Sequence, residues 1–298
     1  MVREVLEHLD VDRGGLYFDG TAGAGGHSEA ILSRSERARV IAVDRDPEAL
    51  AVVEGRLRRF GDRVRLMEAS FAEVARELEE PLAGALLDLG VSSHQIDEER
   101  RGFSFRRSVR LDMRMSPKSE VADAAELLNG LPESELADLF YKYGEERRSR
   151  RLAVEVVRRR REKPFETSDD LVAAMHRALG PRLDAQDKAR IFQALRIAVN
   201  RELEELEVAL PALRDRLEPL GVFVVLAYHS LEDRLVKDAF REWSLSCVCP
   251  PELPVCVCRG KPLGEVMTKR PVMAGPEEVA TNPRSRSARL RSWRKAAA

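Results

Sequence analysis

The sequence predicts an α/β fold of the Rossmann-like type, with a mostly parallel sheet and an inserted all-helical domain. Three observations predict it. Short apolar segments alternate with helical patterns over the first 90 residues. A glycine-rich turn joins the first apolar segment to the first helix. Residues 108–197 show only helical periodicity, and a strand pattern returns at residues 222–226. Strands joined by helices favour parallel pairing with right-handed crossovers.

The individual elements set the predicted domain boundaries. Strands are expected at residues 16–19, 40–44, 64–67 and 84–88, with helices at 28–33, 47–60 and 71–80. Five helices are expected in the insertion, at 121–129, 132–143, 149–161, 168–179 and 187–205. The proline-rich tail from residue 247 is predicted as loop, with edge strands near 265–269. We therefore predict a discontinuous sheet domain, residues 1–107 and 198–298, around a helical substrate-recognition domain, residues 108–197.

The composition indicates a globular protein with a sizeable core. The 298 residues are 44% apolar and 34% charged, and no apolar run reaches the roughly 20 residues that a membrane-spanning helix needs. We expect a cytoplasmic protein without a membrane partner. The net charge is −1, but basic residues cluster at 147–161 and 284–295. Such clusters would neutralise RNA phosphates, or, where glutamates interleave the first of them, form a solvated helix face.

The glycine-rich turn after the first predicted strand is a candidate binding site. Gly23, Gly25 and Gly26 let the backbone approach a ligand where a side chain would clash. The dinucleotide fingerprint G-x-G-x-x-G is not met, because Ser28 stands at its third glycine position. This disfavours a nicotinamide-dependent oxidoreductase, the rival enzyme class. The carboxylate of Asp19 near the turn favours a cofactor that carries an ammonium group.

Two further aspartates end predicted strands. Asp44 ends the second strand, where a carboxylate accepts hydrogen bonds from the ribose hydroxyls of an adenosine. Asp88 ends the fourth strand, and Phe71 follows the third, where its ring would flank adenine. Carboxyl ends of neighbouring parallel strands form one ligand site in such sheets. The alternative for any single aspartate is a helix N-cap.

With these features in place, the sequence resembles the ribosomal RNA small-subunit methyltransferase H family nearly from end to end. The resemblance rests on ordered motifs: GGHS at 25–28, AVDRDP at 42–47, LDLGVSS at 87–93, RGFSF at 101–105, LDMRM at 111–115, YGEER at 143–147, FQALRI at 192–197, HSLEDR at 229–234 and NPRSRS at 282–287. A glycine loop alone is weakly specific, but this series of motifs is highly specific.

The resemblance implies a methyltransferase that uses S-adenosyl-L-methionine. Its implied reaction methylates the N4 amino group of a specific cytidine in small-subunit (16S) ribosomal RNA near the decoding centre, so the partner is that RNA or the assembled subunit. Positions that match the family's cofactor contacts are Gly25, Gly26, His27, Asp44, Phe71, Asp88 and Gln95. The non-enzymatic alternative is an inactive or regulatory RNA-binding ribosome-assembly factor of the same fold. The intact aspartates and glycine loop disfavour it.

The sequence also departs from the family pattern. It starts at Met1, after the position of the family's usual His-x-Pro-Val-Leu segment, so we expect either a late start or the loss of that support for the cofactor. The pair Ala227-Tyr228 stands where family members usually carry Ser-Phe.

Catalytic and substrate residues are predicted less directly. The candidates for catalysis are Asp88, Ser92 and His229, since acceptors placed on the amino hydrogens would orient a poor nucleophile. His229 instead caps the next helix in the alternative interpretation. The candidate substrate contacts are Arg101, Phe103, Arg114, Arg196, Ser230 and Asp233. Salt bridges are the alternative for each arginine, and core packing is the alternative for Phe103.

The four cysteines lie together in the tail, at Cys247, Cys249, Cys256 and Cys258. Four thiolates bind one zinc ion in many structural sites. The C-x-C spacing is tighter than the usual C-x₂-C, so the sequence favours reduced thiols without a metal and keeps zinc as the alternative.

Overall fold

The chain divides into two compact units. The computed structural model describes residues 1–250, 255 and 257–297, without the side chains of Ser93 and His94. The sheet unit comprises Met1–Gly90 and Leu203–Ala298, and the helical unit comprises Val91–Glu202. The helices of the described residues are α1 (Val2–Leu9), α2 (Gly26–Arg34), α3 (Pro47–Leu57), α4 (Phe71–Glu77), α5 (Ser93–Asp97), α6 (Ala124–Gly130), α7 (Glu133–Lys142), α8 (Ser149–Arg160), α9 (Ser168–Leu179), α10 (Ala185–Asn200), α11 (Glu202–Arg216), α12 (Ser230–Trp243) and α13 (Pro276–Thr281).

The sheet unit is built on one mixed sheet. Its strands in the described residues are β1 (Gly15–Asp19), β2 (Ala38–Asp44), β3 (Val64–Glu68), β4 (Leu82–Asp88), β5 (Leu217–Ala227), β6 (Gly264–Val266), β7 (Val272–Met273) and β8 (Arg289–Lys295). The order is β3-β2-β1-β4-β5-β8-β6, and β7 also pairs with β8. Strands β1 to β5 are parallel, while β8 is antiparallel to its neighbours. The predicted mostly parallel α/β fold is therefore confirmed.

The strand order reverses beside β1. The chain runs outward from β1 to β3 and then returns, so β4 pairs with the other edge of β1. Open α/β sheets bind ligands outside the carboxyl ends of the strands at such a switch point. Asp19 and Asp88 end the two strands that flank it, and Asp44 ends the next strand.

Both faces of the sheet are buried, as expected for parallel strands covered by helices. Neighbouring residues of β1 show this, because Phe18 belongs to one apolar cluster and Tyr17 to the other. On the Phe18 side, the ring of Trp243 from α12 lies edge-on to that of Trp293 from β8, with centroids 5.3 Å apart. This contact anchors the C-terminal strand in the core.

The helical unit has a core of its own. Its buried apolar side chains come from α6 to α10, from the segments between them and from the segment before α6, and include Leu111, Leu128, Phe140, Phe165 and Leu195. No strand of the sheet lies in this unit among the described residues. Two separate cores explain why the chain forms two compact units.

The helical unit begins earlier than the predicted insertion, at Val91 instead of residue 108. Arg101 provides the physical reason. Its guanidinium donates a 2.6 Å hydrogen bond to the Met115 carbonyl, and its own carbonyl accepts one from the Met113 amide at 3.0 Å. Residues 91–107 therefore lie with the helices, whereas the sequence analysis placed them with the sheet.

One predicted helix is wrong in extent. The sequence predicts a single helix at 187–205, but α10 ends at Asn200 and α11 starts at Glu202. Arg201 between them adopts the left-handed conformation, with φ 51°. The Asn200 side-chain amide donates to the carbonyls of Met113 and Arg196 at 2.8 and 2.9 Å. Asparagine competes in this way with helix continuation.

The predicted loop at the C-terminus is also wrong, because it contains the buried strand β8. Ser292 and Trp293 are fully buried there, and Arg291 is nearly so. The basic residues concealed the strand pattern, since a buried arginine is uncommon unless it is paired. None of the helices in the described part of the chain combines the length and apolar content that a bilayer crossing requires.

Candidate active site

The loop from β1 to α2 is fixed by hydrogen bonds to the ends of two strands. The Gly20 amide donates to the Leu86 carbonyl at 3.0 Å, and the Ala22 amide donates to the Val43 carbonyl at 2.9 Å. Gly25, the N-cap of α2, has φ 78°, a left-handed conformation that L side chains adopt only at a cost. The loop therefore brings the first amides of α2 to the carboxyl edge of the sheet, where helix N-termini favour anionic groups.

Asp19 supports this loop from beneath. Its side chain is fully buried. One oxygen accepts a 2.6 Å hydrogen bond from the Ser28 hydroxyl, and the other accepts from the Thr21 amide at 3.3 Å. Burial raises the pKa of Asp19 above its usual range. The Asp19 side chain has no exposed surface and holds the loop, which favours a positioning role over the direct ammonium contact that the sequence predicts.

Asp44 lies differently. Its Oδ2 accepts from the Gly23 amide at 2.8 Å and its Oδ1 from the Asp46 amide at 2.9 Å. The side chain keeps some exposure, and burial raises its pKa. Each carboxylate oxygen has about two acceptor sites, so each oxygen of Asp44 retains capacity for one hydroxyl donor. This is the pair of acceptors that a ribose requires.

Asp88 is the centre of a polar cluster at the end of β4. Its Oδ1 accepts a 2.8 Å hydrogen bond from the Tyr228 hydroxyl, and its Oδ2 lies 3.3 Å from Nε2 of His27. The Asp88 amide donates to Oγ1 of Thr21 at 2.7 Å. Because the side chain of Asp88 remains 26% exposed, it is held in place while still accessible to a ligand.

The cluster changes the protonation of its members. Burial lowers the pKa of His27, but the hydrogen bond and negative charge of Asp88, together with Asp19, outweigh it, so the pKa lies above its ordinary value. Burial and the charge of Asp88 raise the pKa of Tyr228 well above its ordinary value. Tyr228 therefore remains a neutral donor to Asp88 at any physiological pH.

His27 has a second feature that points to a ligand. Its Nδ1 is buried and has no hydrogen-bond partner among the described residues. Buried polar atoms without partners are rare, and each calls for an explanation. Gly26 and His27 are the first two residues of α2, so this nitrogen lies in the turn that the loop directs to the sheet edge.

Phe71 starts α4 next to the same loop. A Cβ placed on Gly20 would lie 2.9 Å from the Cβ of Phe71, so only glycine allows this approach. The Phe71 side chain is partly buried against the core of the sheet unit. An apolar surface at this point is suited to the face of a purine.

Ser92 and Gln95 hold one another in the helical unit. The Ser92 amide donates to Oε1 of Gln95 at 3.0 Å, and the Gln95 amide donates to Oγ of Ser92 at 3.2 Å. This reciprocal arrangement is a capping box at the start of α5. Nε2 of Gln95 also donates to the Met115 carbonyl at 3.4 Å. The structure thus gives both predicted site residues a local structural role.

The predicted substrate arginines of the helical unit make internal ion pairs or hydrogen bonds. Arg114 forms two 2.9 Å hydrogen bonds to Asp112, and Arg196 forms two to Glu202 at 2.8 and 2.9 Å. Arg101 is buried and bonds to backbone carbonyls. Phe103 packs against the helical core. These positions support the alternative interpretations, salt bridges and core packing, over RNA contact.

His229, Ser230 and Asp233 begin α12 directly after β5. His229 is its N-cap, with Nδ1 accepting from the Glu232 amide at 3.4 Å and Nε2 lying 3.0 Å from a carboxylate oxygen of Glu232. Asp233 accepts a 2.6 Å hydrogen bond from Arg291. Burial opposes its charge, but the hydrogen bonds and positive charges of Arg291 and Arg289 together outweigh burial and lower its pKa. The geometry favours the capping interpretation of His229, and Asp233 binds β8.

Sequence reasoning missed Tyr228 and Thr21, both of which contact Asp88. Tyr228 follows the end of β5, which pairs with β4 along Asp88. Its departure from the family's usual residue was a signal, but using it required knowing that β4 and β5 are neighbours.

Comparisons with known proteins identify the family. Residues 1–296 match the MraW methylase family. A ribosomal RNA small subunit methyltransferase H from Gemmatimonas aurantiaca is 53% identical over 93% of this chain and 89% of its own length. Another from Heliobacterium mobile is 46% identical over 98% and 96%. A solved rRNA methylase from Streptococcus thermophilus covers 99% of this chain and 93% of its own, at 11% identity and a TM-score of 0.44. The family match over residues 1–296 and the two relatives at 53% and 46% identity confirm the resemblance, and the chain belongs to the MraW methylase family.

Proposed function

We propose that this chain transfers a methyl group from S-adenosyl-L-methionine to the N4 amino group of a cytidine in small-subunit ribosomal RNA near the decoding centre. One observation carries the proposal. Asp44 and Asp88 end the two strands that flank β1, and the carboxylate of each can accept further hydrogen bonds. Both lie at the sheet edge to which the loop before α2 is bonded. The family membership supplies the reaction class, since its name is that of a methylase.

The residues present fit the cofactor. Asp44 offers one acceptor on each oxygen for the two ribose hydroxyls. Phe71 provides the apolar surface for adenine, and Gly23, Gly25 and Gly26 form the loop beside them. The unpartnered Nδ1 of His27 offers a polar contact to the methionine portion. Asp19 acts through the loop, as a positioning residue.

When bound, S-adenosyl-L-methionine would supply an electrophilic methyl group, which the nucleophile attacks in line while the sulfur leaves as a neutral thioether. Such a step requires the nucleophile to be held at about 3 Å in the correct orientation. The N4 lone pair of cytosine is delocalised into the ring, so the amino group attacks poorly. A carboxylate acceptor on an amino hydrogen orients that group and stabilises the positive charge that develops on it.

Asp88 is the proposed acceptor. Its two oxygens are fixed by Tyr228 and His27, and its side chain remains 26% exposed with acceptor capacity left. The proton that leaves the amino group passes to Asp88. The imidazole of His27, 3.3 Å from Oδ2 of Asp88, holds this carboxylate in place. Ser92 and His229, the other predicted catalytic residues, are proposed to position α5 and α12 through their capping hydrogen bonds.

The substrate assignment rests on the relatives. Those at 46% to 53% identity carry the name of a small-subunit ribosomal RNA methyltransferase and match over nearly their whole length. We propose the same class of RNA here, and therefore action in the cytoplasm, where ribosomal subunits form. The proposed phosphate contacts are exposed arginines just before α8 and in its first turn, Arg147, Arg150 and Arg151.

The experiment uses purified full-length chain, tritiated S-adenosyl-L-methionine, and small subunits from cells that lack the gene. We expect label in the small-subunit RNA, and nuclease digestion with mass spectrometry to identify N4-methylcytidine. The matched control adds subunits from cells that carry the gene, whose site is already methylated. Label in another nucleoside, or equal label in both subunit preparations, would contradict the proposal. Parallel reactions with naked RNA decide which form is the substrate.

A further inference from the structure

A group of thiols lies outside the proposed active site, in the segment between α12 and β6. Sulfur atoms of Cys247, Cys249 and Cys258 all lie within 4.8 Å of one another. The Sγ atoms of Cys247 and Cys258 are 3.8 Å apart. These three cysteines are not joined in disulfides, so three thiols converge on one point.

The sulfur separation fits a metal better than a covalent bond. Zinc binds thiolate sulfur at about 2.3 Å in tetrahedral sites, which places two sulfurs about 3.8 Å apart. A disulfide requires about 2.05 Å between its sulfurs. The observed 3.8 Å between Cys247 and Cys258 equals the tetrahedral separation.

Backbone amides point at two of the sulfurs. The Val248 amide lies 3.4 Å from Sγ of Cys258, and the Val257 amide lies 3.4 Å from Sγ of Cys249. The loop thus has two arms, residues 247–249 and 257–258, and each amide donates to a cysteine of the arm opposite its own. Such donors orient the sulfurs, as outer hydrogen bonds do around metal ligands.

The arms have little apolar burial to hold them together. Val248, Val255 and Val257 are 40%, 69% and 78% exposed. Short segments without a core usually need a disulfide or a metal to keep one conformation. The loop is nevertheless attached at its base, where the Arg259 guanidinium donates to the carbonyls of Glu242 and Leu245 at 2.5 and 3.3 Å.

We propose that Cys247, Cys249 and Cys258 bind a structural zinc ion that fixes this loop to the end of α12. The predicted fourth cysteine, Cys256, lies outside the described residues, so the proposal rests on the three described thiols. The C-x-C spacing disfavoured zinc from the sequence. The structure favours zinc more than the spacing does, because cysteines from both arms meet in one cluster.

The test measures bound metal on the full-length chain, expressed with zinc in the medium and purified under reducing conditions. We expect about one zinc per chain by elemental mass spectrometry, and at least a roughly tenfold lower content in Cys258→Ser. Val257→Ser is the matched control, since it alters an exposed side chain of the same loop and keeps its amide. Its zinc content should equal that of the wild type.

A second measurement keeps the proposal testable if Cys258→Ser misfolds. Cobalt added to the metal-free wild-type chain should give the visible d–d bands of a tetrahedral site and thiolate-to-cobalt charge-transfer absorption, and zinc should remove both. Absence of zinc together with absence of these bands would overturn the proposal. So would a disulfide between Cys247 and Cys258 detected by mass after alkylation, or equal zinc loss in Val257→Ser.

Discussion

Buried carboxylates behave in opposite ways in the two units of the molecule. In the sheet unit, Asp19 and Asp44 accept hydrogen bonds from neutral hydroxyl and amide groups, and burial raises the pKa of both. In the helical unit, burial likewise opposes the charge of Asp112 and Asp170. There, hydrogen bonds from Arg114 lower the pKa of Asp112, and those from Thr167 and Lys163 lower the pKa of Asp170 to about 2.

The difference separates two uses of a buried charge. A carboxylate that arginine or lysine already neutralises stabilises the fold and has little to offer a ligand. Burial raises the free energy of a charged carboxylate that no cation neutralises. If such a carboxylate can still accept hydrogen bonds, a donating ligand stabilises it strongly. Perturbed carboxylates of the second kind are enriched at functional sites. Matched substitutions in the two units test this difference.

The largest effect is expected at Asp88. Asp88→Ala should abolish methyl transfer, with a loss of turnover of about 10²- to 10⁴-fold, because the amino group loses its acceptor. Turnover is measured with saturating cofactor on unmethylated subunits. Asp88→Asn keeps the shape and removes the charge, so it should show most of the loss. Asp138→Asn, on an exposed carboxylate of the helical unit, is the control and should retain full turnover. Comparable losses in both would break the comparison.

Asp44→Ala should weaken cofactor binding by about 10- to 100-fold, the value of hydrogen bonds to a charged acceptor. Calorimetry with S-adenosyl-L-methionine gives the dissociation constant directly. Glu54→Ala, at an exposed position of α3, serves as the control and should bind as the wild type does. An unchanged dissociation constant for Asp44→Ala would show that the ribose does not bind at Asp44.

In the helical unit, Asp170→Asn should lower the free energy of unfolding by about 1–2 kcal/mol near pH 7. The folded-state pKa of Asp170 is depressed to about 2. Its stabilisation is therefore complete above the unfolded value of 3.8 and is lost as the pH falls toward 2.

Urea unfolding of both proteins over a pH series checks this sign. The difference between wild type and Asp170→Asn should stay constant from about pH 7 to pH 5 and shrink below about pH 4. Cofactor binding at neutral pH should be unchanged. A difference that grows with acid would show that Asp170 is not stabilised as an anion.

Tyr228→Phe gives the smallest expected effect. It removes the hydroxyl that donates to Asp88 and installs the ring that the resemblance identifies as usual there. A single hydrogen bond contributes about 0.5–1.5 kcal/mol, so turnover should fall by about 2- to 10-fold. The dissociation constant of the cofactor should not change. A loss equal to that of Asp88→Ala would make Tyr228 a catalytic residue in its own right.

The sequence predicted the first four strands, and the aspartates that end three of them, because apolar runs and turn residues are local signals. It did not predict β8, since Arg291 gains its buried position only through Asp233, 58 residues away. It also merged α10 and α11, because the break at Arg201 depends on the contact of Asn200 with Met113. The predicted RNA contacts of the arginines stay predictions. In the structure Arg114 and Arg196 pair with nearby carboxylates, and Arg101 bonds to backbone carbonyls 13 and 14 residues away.

By itself, the sequence determined the α/β class, the glycine turn, the family and the aspartates that end strands, since each is written in residue type and spacing. Only the tertiary structure decided which of those aspartates faces outward. Asp19 is closed in by Ser28 and Thr21, while Asp88 stays accessible between His27 and Tyr228. Burial and hydrogen-bond partners arise from neighbouring strands, and strand order is not a local property of the chain.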